Sequence, residues 1–244
     1  MNNKSYDFCY YEQDMTMQVA MLGADGFLIA SDILVSNCSP PQNSRKIFTS
    51  ESGNVVIAAA GCKPTGHFAR DLVRDLGEFN LATFDRGVGM VPEIENVIVS
   101  AAEKLFQGYK DDYVRMAKDI TESGSRLIVA VSGFDKLWEI VFATGKPTME
   151  ALTARYAINN GSNQASFFAH QYFSAEKTVN ELLPIAAHTI LEGARIQPAF
   201  VGGLDIYASE SGEGRFLRDA EIEMYSEHSR KVHDSLASEF ARVE

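Results

Sequence analysis

The chain has 244 residues, with 33 acidic against 22 basic side chains and a formal net charge of -11. Such an acidic surface repels phosphate backbones and anionic lipid alike, so nucleic-acid and membrane-surface partners are not expected. Apolar runs such as VVIAAA at 55–60 are far shorter than the roughly 20 residues of a membrane helix. The first fifteen residues, MNNKSYDFCYYEQDM, lack the apolar stretch of a secretory signal, and a cytoplasmic protein is expected. Cys9, Cys38 and Cys62 form an odd set without a Cys-x-x-Cys pair, which fits free thiols in a reducing compartment. No Pro/Ser/Gly-rich linker or charge run divides the chain, so a single domain is expected.

In chain order, strands come first. Met17 to Leu22 and Phe27 to Ser31 flank a Gly-Ala-Asp-Gly connection, and Lys46 to Thr49 and Asn54 to Ala60 flank a Glu-Ser-Gly turn. Their nearly continuous apolar character predicts a sheet covered on both faces. A helix capped by Thr65 is expected to run to about Leu76, with Gly77 as its stop. The next, starting at Pro92 and Glu93, carries Ile94, Val97, Ile98, Ala101, Ala102, Leu105 and Phe106 on one buried stripe.

Strands return at Arg126 to Val131, Leu137 to Phe142 and Arg155 to Ile158, with Gly133 to Lys136 as a hairpin turn. Two helical stretches follow, from about Ser162 to Tyr172 and from a Ser174 cap through Ile190, the second expected to kink at Pro184. Leu204 to Ala208 and the segment GEGRFL then read as strands, and Asp219 to Glu244 as a closing amphipathic helix. Alternating blocks of strands and helices predict an α+β chain: a four-layer α/β/β/α sandwich of two stacked, mainly antiparallel sheets.

Thr16-Met-Gln-Val-Ala, GFLIASD, SRKIF, VVIAAAG, GSRLIVAVSGFD, YAINNGSNQASFF and FVGGLDIY together resemble β-type proteasome subunits and the bacterial HslV-type peptidases. Both are N-terminal nucleophile hydrolases, and the resemblance covers most of the chain. It implies that residues 1–15 are a leader or propeptide and that 16–244 form the hydrolase domain. It also implies that Thr16 attacks through its hydroxyl once its own α-amino group is free to act as the base. Lys46 would keep that amine a usable base, Asp32 would fix the lysine, and the Gly61 N–H would donate to the oxyanion. Ser44, Ala59 and Lys63 would line the pocket for the side chain preceding the cleaved bond.

The chain departs from that pattern at three places. Met15 stands where the family has glycine, Asn160 replaces a serine in the glycine turn, and Pro198, Ala199, Phe200 and Val201 carry neither the usual aspartate nor the usual serine. Without the resemblance, each residue has a plainer reading. Thr16 suits a strand as a β-branched residue, Lys46 is a solvated strand-end charge, Asp32 a turn former and Gly61 a tight turn. Cys62 reads as a buried small residue, and the histidines, among them His67, as surface or core groups. None of them has ligand spacing, and no motif calls for a metal or organic cofactor.

The expected function is a threonine-type peptidase acting on peptide or unfolded protein. The alternatives are a catalytically silent subunit of the same fold, serving as ring scaffold or binding surface, and an amidase acting on small molecules. By the same resemblance the chain assembles with copies of itself, as a ring or an open helical array, and an ATP-dependent unfoldase is its possible partner.

Overall fold

The computed structural model describes residues 16–35, 42–78, 91–142, 145–152, 154–159 and 163–241. The elements in chain order begin with β1 (Gln18–Leu22), β2 (Gly26–Ser31), β3 (Leu34–Val35), β4 (Gln42–Asn43), β5 (Ile47–Thr49) and β6 (Val55–Ala60). Three helices follow: α1 (Lys63–Glu78), α2 (Val91–Asp112) and α3 (Val114–Glu122). Next are β7 (Arg126–Val131), β8 (Leu137–Val141), β9 (Thr148–Ala151) and β10 (Tyr156–Asn159). Helices α4 (Asn163–Tyr172) and α5 (Val179–Ile196), strands β11 (Asp205–Glu210) and β12 (Glu213–Phe216), and α6 (Asp219–Ala241) complete it.

Among the described residues two five-stranded sheets form, ordered β10-β1-β2-β11-β12 and β5-β6-β7-β8-β9, with a small β3-β4 ribbon between them in sequence. Every pairing is antiparallel. The α+β class with antiparallel sheets therefore stands.

Side-chain alternation, with its period of two, decides which layer each strand residue joins. On β1, Val19 and Met21 pack with Leu182, Ala186 and Ile190 of α5. Ala20 and Leu22, of opposite parity, join a cluster that includes Val56 and Ala58 of β6 and Ile128 of β7. The other parity of β6, Val55, Ile57 and Ala59, meets Phe68 and Leu72 of α1 and Ile98 of α2. Phe68 sits edge-on to Phe142 at 5.1 Å and to Tyr109 at 5.4 Å between ring centres. Each such fully buried large side chain contributes about 2 kcal/mol.

Several expected boundaries shift, each for a local reason. Helix α1 begins at Lys63, not at Thr65, and runs through Gly77 to Glu78. Thr65 is buried and spends its hydroxyl on Ser125 Oγ at 2.5 Å, while Gly77 lies so close to Ser50 that an added Cβ would come within 2.9 Å of that residue's Cβ. Helix α5 is capped by Thr178, not Ser174; Thr178 and Glu181 form a reciprocal capping box, and the helix continues through Pro184. Helix α3, strand β9 and the β3-β4 ribbon were not expected; they are short, and short elements carry little periodicity.

Candidate active site

The β1-β2 hairpin delivers the first two candidates. Its register sets Gln18 opposite Ser31, so the residues just outside it, Met17 and Asp32, meet as well. Met17 N–H donates to Asp32 Oδ1 at 2.8 Å, and Asp32 N–H donates to Met17 O at 3.1 Å. Thr16, one residue further, is carried to the same edge and is 4 % exposed.

Lys46, immediately before β5, closes the group. Its Nζ donates to Asp32 Oδ2 at 2.8 Å, to Leu34 O at 2.7 Å and to Thr16 Oγ1 at 3.0 Å. Leu34 N–H donates to Asp32 Oδ2 at 3.1 Å. Asp32 is fully buried, and that desolvation pushes its carboxyl above the usual range. The Lys46 ammonium and the two backbone donors pull it back in part. A lysine held this way puts a fixed positive charge against the threonine oxygen, where it favours negative charge developing on that atom.

Gly61 ends the neighbouring strand with φ at +131°. Any Cβ there would lie 2.4 Å from Ser125 Oγ, so both the backbone conformation and the packing demand glycine. Behind it runs a chain of hydroxyls, Ser123 to Ser125 at 2.7 Å and Ser125 to Thr65 at 2.5 Å. This network ties the start of α1 to the turn before β7 and has no counterpart in the sequence reading, because Thr65 and Ser125 are 60 residues apart.

A cavity of about 300 Å³ opens beside Thr16. Ser44, Lys46, Ala59, Gly61 and Lys63 line it together with Thr16, while Asp32 sits behind Lys46. All seven candidates thus come to one place. Sequence reasoning missed His67 and Arg70, which also line the cavity with Lys63 and Gly66. The signal was available: positions 63, 66, 67 and 70 are i, i+3, i+4 and i+7 of one helix, hence one face. Cys62 is half-buried on the wall and touches Thr65 Oγ1 at 3.4 Å, so it is not the buried residue expected. Phe200, from the segment without the expected polar groups, presents its ring to the same space. Met15, Asn160, Cys9 and Cys38 lie outside the described residues. Among the described residues, no three His, Cys, Asp or Glu side chains gather in a metal-holding group, and no helix is long and apolar enough to cross a membrane.

No protein-family model matches the chain, and no curated protein matches it by sequence. Solved structures do match. The ancestral β-subunit protein Anbu from Yersinia bercovieri superposes with a TM-score of 0.65 at 15% identity, covering 92% of this chain and 97% of that one. A structure titled as the helical assembly of the Anbu complex from Pseudomonas aeruginosa gives 0.66 at 18%, covering 93% and 96%. Anbu from Hyphomicrobium sp. strain MC1 gives 0.65 at 15%, covering 93% and 98%.

The chain shares their fold. This corrects the reading as a β-type proteasome subunit or HslV-type peptidase, since the matching structures are ancestral β-subunit proteins. The motifs behind that reading, such as GFLIASD and VVIAAAG, are buried strands whose composition packing dictates. Such segments serve any member of a fold and do not separate its branches.

Proposed function

We propose that this chain is a proteasome-like subunit with a threonine-type hydrolase site, in which Thr16 attacks an acyl group after residues 1–15 have left. One observation carries the reading: Lys46 Nζ, anchored by Asp32 and Leu34 O, lies 3.0 Å from Thr16 Oγ1. In this reading residues 16–244 are one domain, and the two sheets with helices outside both form a four-layer α/β/β/α stack. The freed α-amino group of Thr16 takes the hydroxyl proton, Oγ1 adds to the substrate carbonyl, and the Gly61 N–H receives the oxyanion. The amine then returns the proton to the leaving nitrogen, and water releases the acyl group. Peptide or unfolded protein is the substrate class, and the cytoplasm the setting. The helical assembly of the Pseudomonas aeruginosa relative supports self-association of this chain in a closed or open array.

A second reading, a silent subunit, draws on Phe200. An apolar ring stands on the cavity wall where a polar group would serve the terminal amine. Intact mass and electrophile labelling separate the two. The hydrolase reading expects a mature chain beginning at Thr16. That chain is labelled at residue 16 by a peptide electrophile capturing both hydroxyl and amine, and Thr16→Ala abolishes both results. A full-length mass that persists in folded protein, with no label at Thr16, overturns it.

A further inference from the structure

The cavity beside Thr16 is lined by basic side chains, and among the described residues no carboxylate faces it. Arg45, Lys46, Lys63 and Arg70 contribute to its wall together with the imidazole of His67, whereas among the described residues no Asp or Glu does, in a chain where acidic residues outnumber basic ones by 33 to 22. Two of these cations are already matched. Lys46 holds Asp32 at 2.8 Å; Arg45 holds Asp205 at 2.8 Å and stacks 3.8 Å from the centre of the Phe216 ring.

The α1 cations differ. Among the described residues, no carboxylate lies within ion-pair distance of Lys63 or of Arg70, and the Arg70 guanidinium lies over the face of the Phe48 ring, 5.5 Å from its centre. Lys63, His67 and Arg70 project from successive turns of one helix face. Gly66, between them, adds no side chain, and even a Cβ there would meet only Phe48 at 3.7 Å. The floor is small, with Ala59 on it. Phe48 and Phe200 add apolar wall, which weakens water's screening of a charge held between them.

We propose that this cavity selects an acidic side chain, Glu or Asp, at the substrate residue preceding the acyl bond that meets Thr16. The carboxylate is held by Lys63 and Arg70, the latter kept over the cavity by Phe48. Lys46 stays committed to Asp32 and Thr16. The inference rests on the hydrolase reading for its name as a specificity pocket, but binding tests it without chemistry.

The test uses the full-length protein and three N-acetyl tetrapeptides that differ only in their last residue, Glu, Gln or Lys. Each last residue is carried as the alcohol, so that no acyl group can transfer. Isothermal titration is expected to rank Glu above Gln by about tenfold, the difference one charge-assisted contact makes, with Lys weakest. Lys63→Gln and Arg70→Gln each shrink the Glu-over-Gln ratio toward one while leaving the melting temperature unchanged. Charge reversal at both positions turns the preference toward Lys. Equal binding of Glu and Gln, a preference for Lys, or no measurable binding of any peptide overturns the proposal. If the Glu preference holds while Thr16 goes unlabelled by electrophile, the hydrolase reading fails and the acidic-ligand pocket stands. If Thr16 labels but the ratio is one, the reverse is true.

Discussion

Met17 and Asp32 bond each other from both directions, N–H to carboxylate at 2.8 Å and N–H to carbonyl at 3.1 Å. The second residue of the Thr16 segment is thereby locked to the carboxylate that positions Lys46. Asp32→Asn is expected to strand the Lys46 charge, which has a side chain only 12% exposed, and to cost about 3 kcal/mol. The double variant Asp32→Asn with Lys46→Met removes that stranded charge and is expected to be more stable than Asp32→Asn alone. Urea midpoints of the four proteins in this cycle check it; a double variant no more stable than the single one counts against a charge-driven loss.

Gly61→Ala tests the backbone at the end of β6. With φ at +131° and Ser125 Oγ 2.4 Å from the new Cβ, the substitution is expected to cost about 2 to 3 kcal/mol. Ser125→Ala in the same chain relieves the contact with the hydroxyl but leaves the φ strain and the Thr65 and Ser123 hydroxyls without their shared partner. Only partial recovery of the melting temperature is therefore expected.

His188 predicts a pH dependence. Burial between α5, α6 and α4 holds its imidazole below the ordinary value of 6.5, an effect that nearby Glu192 opposes and Arg195 reinforces. Its Nδ1 lies 2.7 Å from Ser229 Oγ on α6, its ring stands edge-on to Phe168 of α4 at 4.5 Å, and Glu192 faces Nε2 at 4.0 Å. His233 of α6 shares Glu192 at 3.6 Å. Because the folded value is depressed, the unfolded chain takes up the proton first as pH falls. The contribution is complete above 6.5 and is lost below it, with a slope of at most about 1.4 kcal/mol per pH unit. His188→Gln, which keeps a polar contact but does not titrate, is expected to flatten the stability profile between pH 5 and pH 7. An unchanged profile in thermal melts would show that His188 is not the titrating group.

Apart from β9, the strands of both sheets, the stripe of α2 and the closing helix were legible because apolar runs between turn residues and i, i+3, i+4, i+7 spacing survive in a linear string. Thr16, Asp32, Lys46 and Gly61 were legible as a set only through the family resemblance, since each alone has a plainer reading as strand, turn or surface residue. Less legible were features that depend on contacts far along the chain. Thr65 reads as a cap until Ser125 takes its hydroxyl, and Gly77 reads as a stop until Ser50 shows that it is needed for close packing. The acidic composition likewise hid a cationic cavity, because composition sums charges that space keeps apart.

The sequence by itself determined the α+β class, the burial of the central strands on both faces, and the acidic composition that disfavours nucleic acid, since these depend on composition and pattern alone. The tertiary structure decided which cations are neutralised. Lys46 meets Asp32 across 14 residues and Arg45 meets Asp205 across 160, whereas among the described residues Lys63 and Arg70, on one helix face, meet no carboxylate. Ion pairing is set by distance in space, and only the packed sheets bring those carboxylates within reach.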